Sequence, residues 1–169
     1  PFAQKICPEG WTLLVPEGRF EHPKRGKSWW RYENWDADVT RRRQLSRVEL
    51  MDVDSSISQI EELLSTEAEL GPIVVGGFSQ GGATAARWFF NNNCNFDRLI
   101  LWASVFPPDI DLSKVISNKS KQINYFVLGD NDPYFNEANS KEIINNYKKN
   151  NFHVERFNGS HKIDLATLK

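Results

Sequence analysis

Cysteine, methionine and net charge are all scarce in this chain of 169 residues. The two cysteines, Cys7 and Cys94, have neither the spacing of metal ligands nor the number needed for a disulfide framework. They are expected to be reduced thiols in a cytoplasmic protein. No ligand cluster argues for a metal, and none for an organic cofactor. Lysine and arginine number 21 against 22 acidic residues, so the net charge is −1. That balance offers no electrostatic surface for nucleic acid. No apolar run reaches the length of a membrane-spanning helix. Met51 is the only methionine and the chain begins at Pro1, so the natural N-terminus is expected to lie outside this sequence. Repeats and low-complexity tracts are absent. Nothing in the sequence sets an oligomeric state.

Aromatic side chains are what the chain has in excess, with six tryptophans and 11 phenylalanines. Several fall where no strand pattern holds, which points to an apolar pocket as well as a core. Trp11 to Val15 reads as a short buried strand stopped by Pro16. Residues 16–46 carry no clear period, and a loop of that length inside a compact domain usually covers something. From Arg47 to Glu69 the spacing is helical, with Val48, Met51, Ile57, Ile60, Leu63 and Leu64 on one side, until Pro72 bars continuation. Strands follow at 73–75, 98–103, 123–128 and 152–157. Helical segments occupy the stretch up to Phe90 and 136–150, and another begins at Lys162. Strands that are continuous apolar runs and alternate with helices describe a buried, mostly parallel sheet. The expected fold is α/β, one domain over 1–169, with helices on both faces of the sheet.

Residues 73–82 read Ile-Val-Val-Gly-Gly-Phe-Ser-Gln-Gly-Gly. Gly-x-Ser-x-Gly between a strand and a helix is the pattern of a nucleophile elbow, a turn so sharp that the serine hydroxyl is pushed out of the backbone. The competing reading is a plain helix N-cap at Ser79. In open α/β sheets, sites form beyond the carboxyl ends of the strands. The loop after strand 123–128 is Gly129-Asp130-Asn131-Asp132-Pro133, and the loop after strand 152–157 is Asn158-Gly159-Ser160-His161. A serine, an aspartate and a histidine therefore follow three different strands, in the order Ser, Asp, His of the α/β-hydrolases. A serine hydroxyl needs a histidine to take its proton as it attacks. An aspartate then holds the imidazole in the right tautomer. Asp130 competes with Asp132 for that role. Of the other histidines, His22 precedes the elbow and His153 lies within a strand.

Gly76-Gly77-Phe78-Ser79-Gln80-Gly81-Gly82, Gly129-Asp130-Asn131-Asp132-Pro133 and Gly159-Ser160-His161, with the upstream Ser28-Trp29 pair, together resemble the phospholipase/carboxylesterase family of the α/β-hydrolases. That group includes acyl-protein thioesterases and small bacterial carboxylesterases. The resemblance implies the acid directly before proline, Asp132. It also implies an oxyanion hole with one donor from the Gln80 N–H and another from a His-Gly loop after an earlier strand. This sequence holds no such loop, so it is expected to be a piece of a longer domain, short at its N-terminus and clipped at its C-terminus too.

The combined expectation is a serine hydrolase that cleaves carboxylic ester or thioester bonds through Ser79, Asp132 and His161, by way of an acyl-enzyme. Its substrate is expected to be a small molecule with an apolar acyl or aryl part, lined by Trp29, Trp30, Phe106 and Phe135, with Trp35 a further aromatic of the same loop. A non-catalytic scaffold of the same fold, or a peptidase or other acyl hydrolase, are the alternatives. Arg41 to Arg43 read as a solvated stretch before a helix. Asn118 to Ser120 and Asn158 to Ser160 are glycosylation acceptors only if the protein is secreted.

Overall fold

The computed structural model describes residues 7–22, 24, 26–32, 44–66, 71–91, 96–111, 123–135 and 137–167. Trp35, Arg41 to Arg43, Cys94 and Asn118 to Ser120 lie outside them. A small hairpin pairs β1 (Phe20–Glu21) with β2 (Lys27–Ser28). It closes through Gly26 at φ 52°, where the His22 N–H meets the Gly26 carbonyl at 2.8 Å. Next come α1 (Arg47–Ser65), β3 (Val74–Phe78), α2 (Gln80–Asn91), β4 (Arg98–Trp102), β5 (Asn124–Gly129), α3 (Glu137–Lys149) and β6 (Phe152–Phe157). The last four strands form one parallel sheet in the order β3-β4-β5-β6, flanked by helices. No helix among the described residues is long and apolar enough to cross a membrane.

The core follows from the sequence of the strands. Leu99, Leu101, Phe126 and Leu128 are fully buried on β4 and β5. The alternating β6 buries Phe152 and Phe157 and exposes His153 and Glu155. Phe126 stacks on the buried Tyr147 of α3 at 4.1 Å between ring centroids. Burial drives the Tyr147 phenol far above its ordinary range, and its hydroxyl donates to the Ser104 carbonyl at 3.0 Å.

Three expectations are corrected. Trp11 to Val15 form no strand: Val15 is 67% exposed, and no described strand pairs with the segment. The stretch 16–46 is not without order, since it carries the β1–β2 hairpin, whose two-residue strands are too short to show a period. Finally, α1 presents only part of the expected face: Ile57 and Ile60 are buried and Leu64 packs against the core, but the rest of the face differs. Ser46 caps it in a reciprocal capping box with Glu49, as expected for Ser-x-x-Glu. Its buried side chains are Glu49, Asp52, Val53, Ser56, Ile57 and Ile60, while Val48, Met51 and Leu63 are exposed. The polar pair decides the rotation. The Asp52 carboxylate accepts from the Arg31 backbone N–H (2.9 Å) and guanidinium (3.0 and 2.9 Å), and the Ser56 hydroxyl donates to the Trp29 carbonyl (3.1 Å).

Candidate active site

The turn between β3 and α2 is as tight as the glycines around it suggest. Ser79 sits at φ 53°, a left-handed conformation that costs a non-glycine residue energy. An N-cap serine has extended backbone instead, so the plain capping reading does not describe this turn. The Ser79 N–H donates to the Trp102 carbonyl at 2.8 Å, and the Gly82 N–H to the Ser79 carbonyl at 3.1 Å. A β-carbon at Gly77 would overlap the backbone of Gly81, and one at Gly82 would overlap the Ser104 side chain. The strand and helix approach too closely for either. The backbone N–H of Gln80 opens α2 and meets no acceptor among the described residues, as first-turn amides do unless a ligand supplies one.

The structure brings Asp132 and His161 together from neighbouring strand ends. The two loops are laced by the Asp130 N–H to the Phe157 carbonyl and the Asn131 N–H to the Gly159 carbonyl, both 2.9 Å. The His161 loop is tied from beneath by the Trp102 indole N–H, which donates to the Lys162 carbonyl at 2.9 Å. Asp132 Oδ2 lies 2.7 Å from His161 Nδ1. The other carboxylate oxygen accepts the Tyr134 N–H at 2.9 Å. The Asp132 side chain is 0% exposed and the imidazole 15%. A carboxylate on Nδ1 places the ring proton there and leaves Nε2 as the accepting nitrogen. Asp130 does not compete, because it pairs on the surface with Arg156 at 2.6 Å. His22 accepts the Lys24 N–H, and His153 faces Glu155.

Two residues around the imidazole carried no sequence signal of their own. Phe78 packs on the His161 ring at 4.7 Å between centroids, and Tyr134 meets it edge-on at 4.5 Å. Phe78 immediately precedes Ser79, so the elbow and the histidine loop are in contact. Among the described residues no hydrogen bond joins the Ser79 hydroxyl to His161. Nucleophile and base are often looser than hydrogen-bond distance without substrate.

The four aromatic pocket candidates divide. Trp30 and Phe135 are packed into the core, 6% and 8% exposed. Phe106 is half-buried beside Phe90 and Tyr147. Trp29 is half-buried with its indole against Gly81, two residues past Ser79.

Solved structures of the same fold include acyl-protein thioesterase 2 from Zea mays, SOBER1 from Arabidopsis thaliana and a carboxylesterase from Bacillus cereus. The thioesterase is 17% identical with a TM-score of 0.54, over 85% of this chain and 74% of that one. SOBER1 is 15% identical with a TM-score of 0.66, over 99% of this chain and 85% of that one. The carboxylesterase is 20% identical with a TM-score of 0.53, over 75% of this chain and 63% of that one. At these identities the likeness establishes the α/β-hydrolase fold. No curated protein matches the chain. The model of one family, described as serine hydrolase (FSH1), matches residues 9–164, a span that takes in the elbow, both strand-end loops and every strand of the sheet. The chain belongs to the FSH1 family of serine hydrolases.

Proposed function

We propose that this chain hydrolyses carboxylic esters or thioesters through Ser79, His161 and Asp132. The observation that carries the reading is the buried Asp132–His161 pair, held at 2.7 Å beside an elbow serine at φ 53°. Ser79 Oγ attacks the acyl carbonyl carbon while His161 Nε2 takes its proton. The carbonyl oxygen becomes an oxyanion that accepts the Gln80 N–H at the start of α2. The positive charge that forms on the imidazole faces the Asp132 carboxylate, which stabilises it. Collapse of the tetrahedral intermediate breaks the bond to the alcohol or thiol, and His161 returns the proton to that leaving group. Water, deprotonated by the same nitrogen, then releases the acid from Ser79. The partner is a small substrate with an apolar acyl or aryl part.

The open Ser79–His161 contact is the observation that favours the alternative, a binding scaffold without catalysis. The two readings part on one assay. Hydrolysis of p-nitrophenyl esters and an acyl thioester is followed for the protein and its Ser79→Ala variant. Turnover that disappears in Ser79→Ala supports the enzyme. A folded protein that turns over none of them supports the scaffold.

A further inference from the structure

Gln80 has a side chain as well as an N–H, and the side chain reaches away from the helix. Its carboxamide oxygen accepts the Trp29 N–H at 3.1 Å. Its nitrogen donates to the Tyr32 hydroxyl at 2.9 Å and to Ser28 Oγ at 2.8 Å. A backbone N–H can only donate, so Trp29 fixes which end of the amide is oxygen. The Ser28 hydroxyl, fully buried, passes its own proton to the Trp30 carbonyl at 2.6 Å. Segment 28–32 is thus fastened to the elbow helix on one side. On the other it is fastened to α1, through the Ser56 and Asp52 bonds to Trp29 and Arg31.

The two tryptophans in this clamp have different fates. Trp30 goes into the core, where the Arg87 guanidinium lies 5.9 Å from its ring centre. Trp29 stays half-buried at the elbow, and its Nε1 lies 3.2 Å from where a β-carbon on Gly81 would sit. That indole N–H meets no acceptor among the described residues. The buried Trp30 indole N–H meets no acceptor among the described residues either, so exposure and not hydrogen bonding separates the two rings. A partly exposed indole beside the elbow, its backbone held on both sides by part-buried hydrogen bonds, has the character of a pocket wall.

We infer that Gln80 is a positioning residue: its side chain sets the Trp29 indole as the wall of the acyl pocket and so sets chain-length preference. The inference rests on Ser79 being the nucleophile. One residue then serves the site twice, through its N–H toward the oxyanion and through its amide toward the pocket, and a side-chain substitution separates the two.

Gln80→Met keeps the length and the backbone N–H but makes none of the three hydrogen bonds. The first readout needs no catalysis. The protein is labelled with 5-fluorotryptophan, and the Trp29 fluorine signal is assigned by Trp29→Phe. In Gln80→Met that signal is expected to shift or broaden while those of Trp88 and Trp102 hold. The second is kcat and KM for p-nitrophenyl acetate and decanoate. The decanoate-to-acetate ratio of kcat/KM is expected to fall about tenfold, the size of a lost apolar pocket contact, with the loss in KM. Trp29→Ala is expected to lower the ratio alike, and the double variant no further, because the two act through one contact. Should Gln80→Met not fold, Tyr32→Phe removes one of the three bonds and is expected to move both readouts the same way, by less. An unmoved Trp29 signal, an unchanged ratio or additive effects overturn the inference. Absence of any turnover by the unsubstituted protein refutes the nucleophile reading instead, and the fluorine signal still reports whether Gln80 holds Trp29.

Discussion

Asp132→Asn tests the candidate triad with little change of shape, and the hydrogen bonds around Asp132 fix the outcome. One carboxylate oxygen accepts the Tyr134 N–H at 2.9 Å and the other faces His161 Nδ1 at 2.7 Å. In the amide, the position facing the Tyr134 N–H must be oxygen, because two donors cannot face each other in a site closed to water. Its NH2 group then points at His161 Nδ1, which must accept. The ring proton moves to Nε2, and Nε2 can no longer take the Ser79 proton. The expected fall in kcat is about 10⁴-fold, equivalent to about 5 kcal/mol of barrier. Turning the amide over restores the tautomer but leaves the Tyr134 N–H facing a donor, at about 1–3 kcal/mol, so that route still costs about fivefold to 160-fold. It also lacks the negative charge that stabilises the imidazolium. Asp130→Asn is the control. Its ion pair with Arg156 is surface-exposed, about half on each side, and such pairs contribute at most about 1 kcal/mol, so kcat is expected to change less than about threefold. The assay is p-nitrophenyl ester turnover at saturating substrate, with circular dichroism to confirm folding. An Asp132→Asn protein within tenfold of the unsubstituted one, or a larger loss in Asp130→Asn, refutes the reasoning.

Three further outcomes are expected. Gly82→Ala drives a methyl into the Ser104 side chain, an overpacking that costs about 1–3 kcal/mol and is read as a lower melting temperature together with a lower kcat. Arg87→Met strands the Asp109 carboxylate that it holds bidentate at 2.6 and 2.9 Å, with the side chains only 5% and 14% exposed. Breaking such a pair from one side costs about 3–5 kcal/mol, measured by urea unfolding, and Arg87→Met with Asp109→Leu is expected to recover part of it. Hydrogen bonding to Arg31 holds the Asp52 carboxyl below its ordinary value of 3.8, so the charged form favours the folded state. That stabilisation is present above 3.8 and is lost as the pH falls from there through the lower folded-state value. The stability difference between the protein and Asp52→Asn is therefore expected to be level at neutral and mildly acid pH and to shrink only below that point.

The strand-end placement of Ser79, Asp132 and His161 was legible because it is written in contiguous residues. An apolar run, a glycine-rich turn and a serine appear together at 73–82, and the aspartate and histidine loops follow their strands in the same way. The elements that support these residues were not legible, because they depend on contacts between distant segments. The periodicity placed Ile57, Ile60 and Leu64 toward the core correctly, but it put Val48, Met51 and Leu63 with them, whereas Asp52 and Ser56 turn inward by bonding residues 29 and 31. Hydrophobic periodicity does not register that kind of polar pairing. The side chain of Gln80 stood inside the most conspicuous motif and was read only for its backbone N–H. Its bonds run to residues 28, 29 and 32, about fifty positions upstream. Tyr134 and Phe78 sit beside recognised residues, but their packing on His161 needed the two loops placed in space. Trp11 to Val15 has the composition of a strand, and composition alone does not supply a neighbour.

The central claim is that Ser79 is a nucleophile activated by His161. It is tested most directly by treating the protein with a fluorophosphonate, digesting it and locating the adduct by mass spectrometry. One phosphonyl group per chain is expected on the peptide carrying Ser79, with labelling abolished in Ser79→Ala and strongly slowed in His161→Ala. A folded protein that takes no label, or takes it at another residue, does not use Ser79 as its nucleophile.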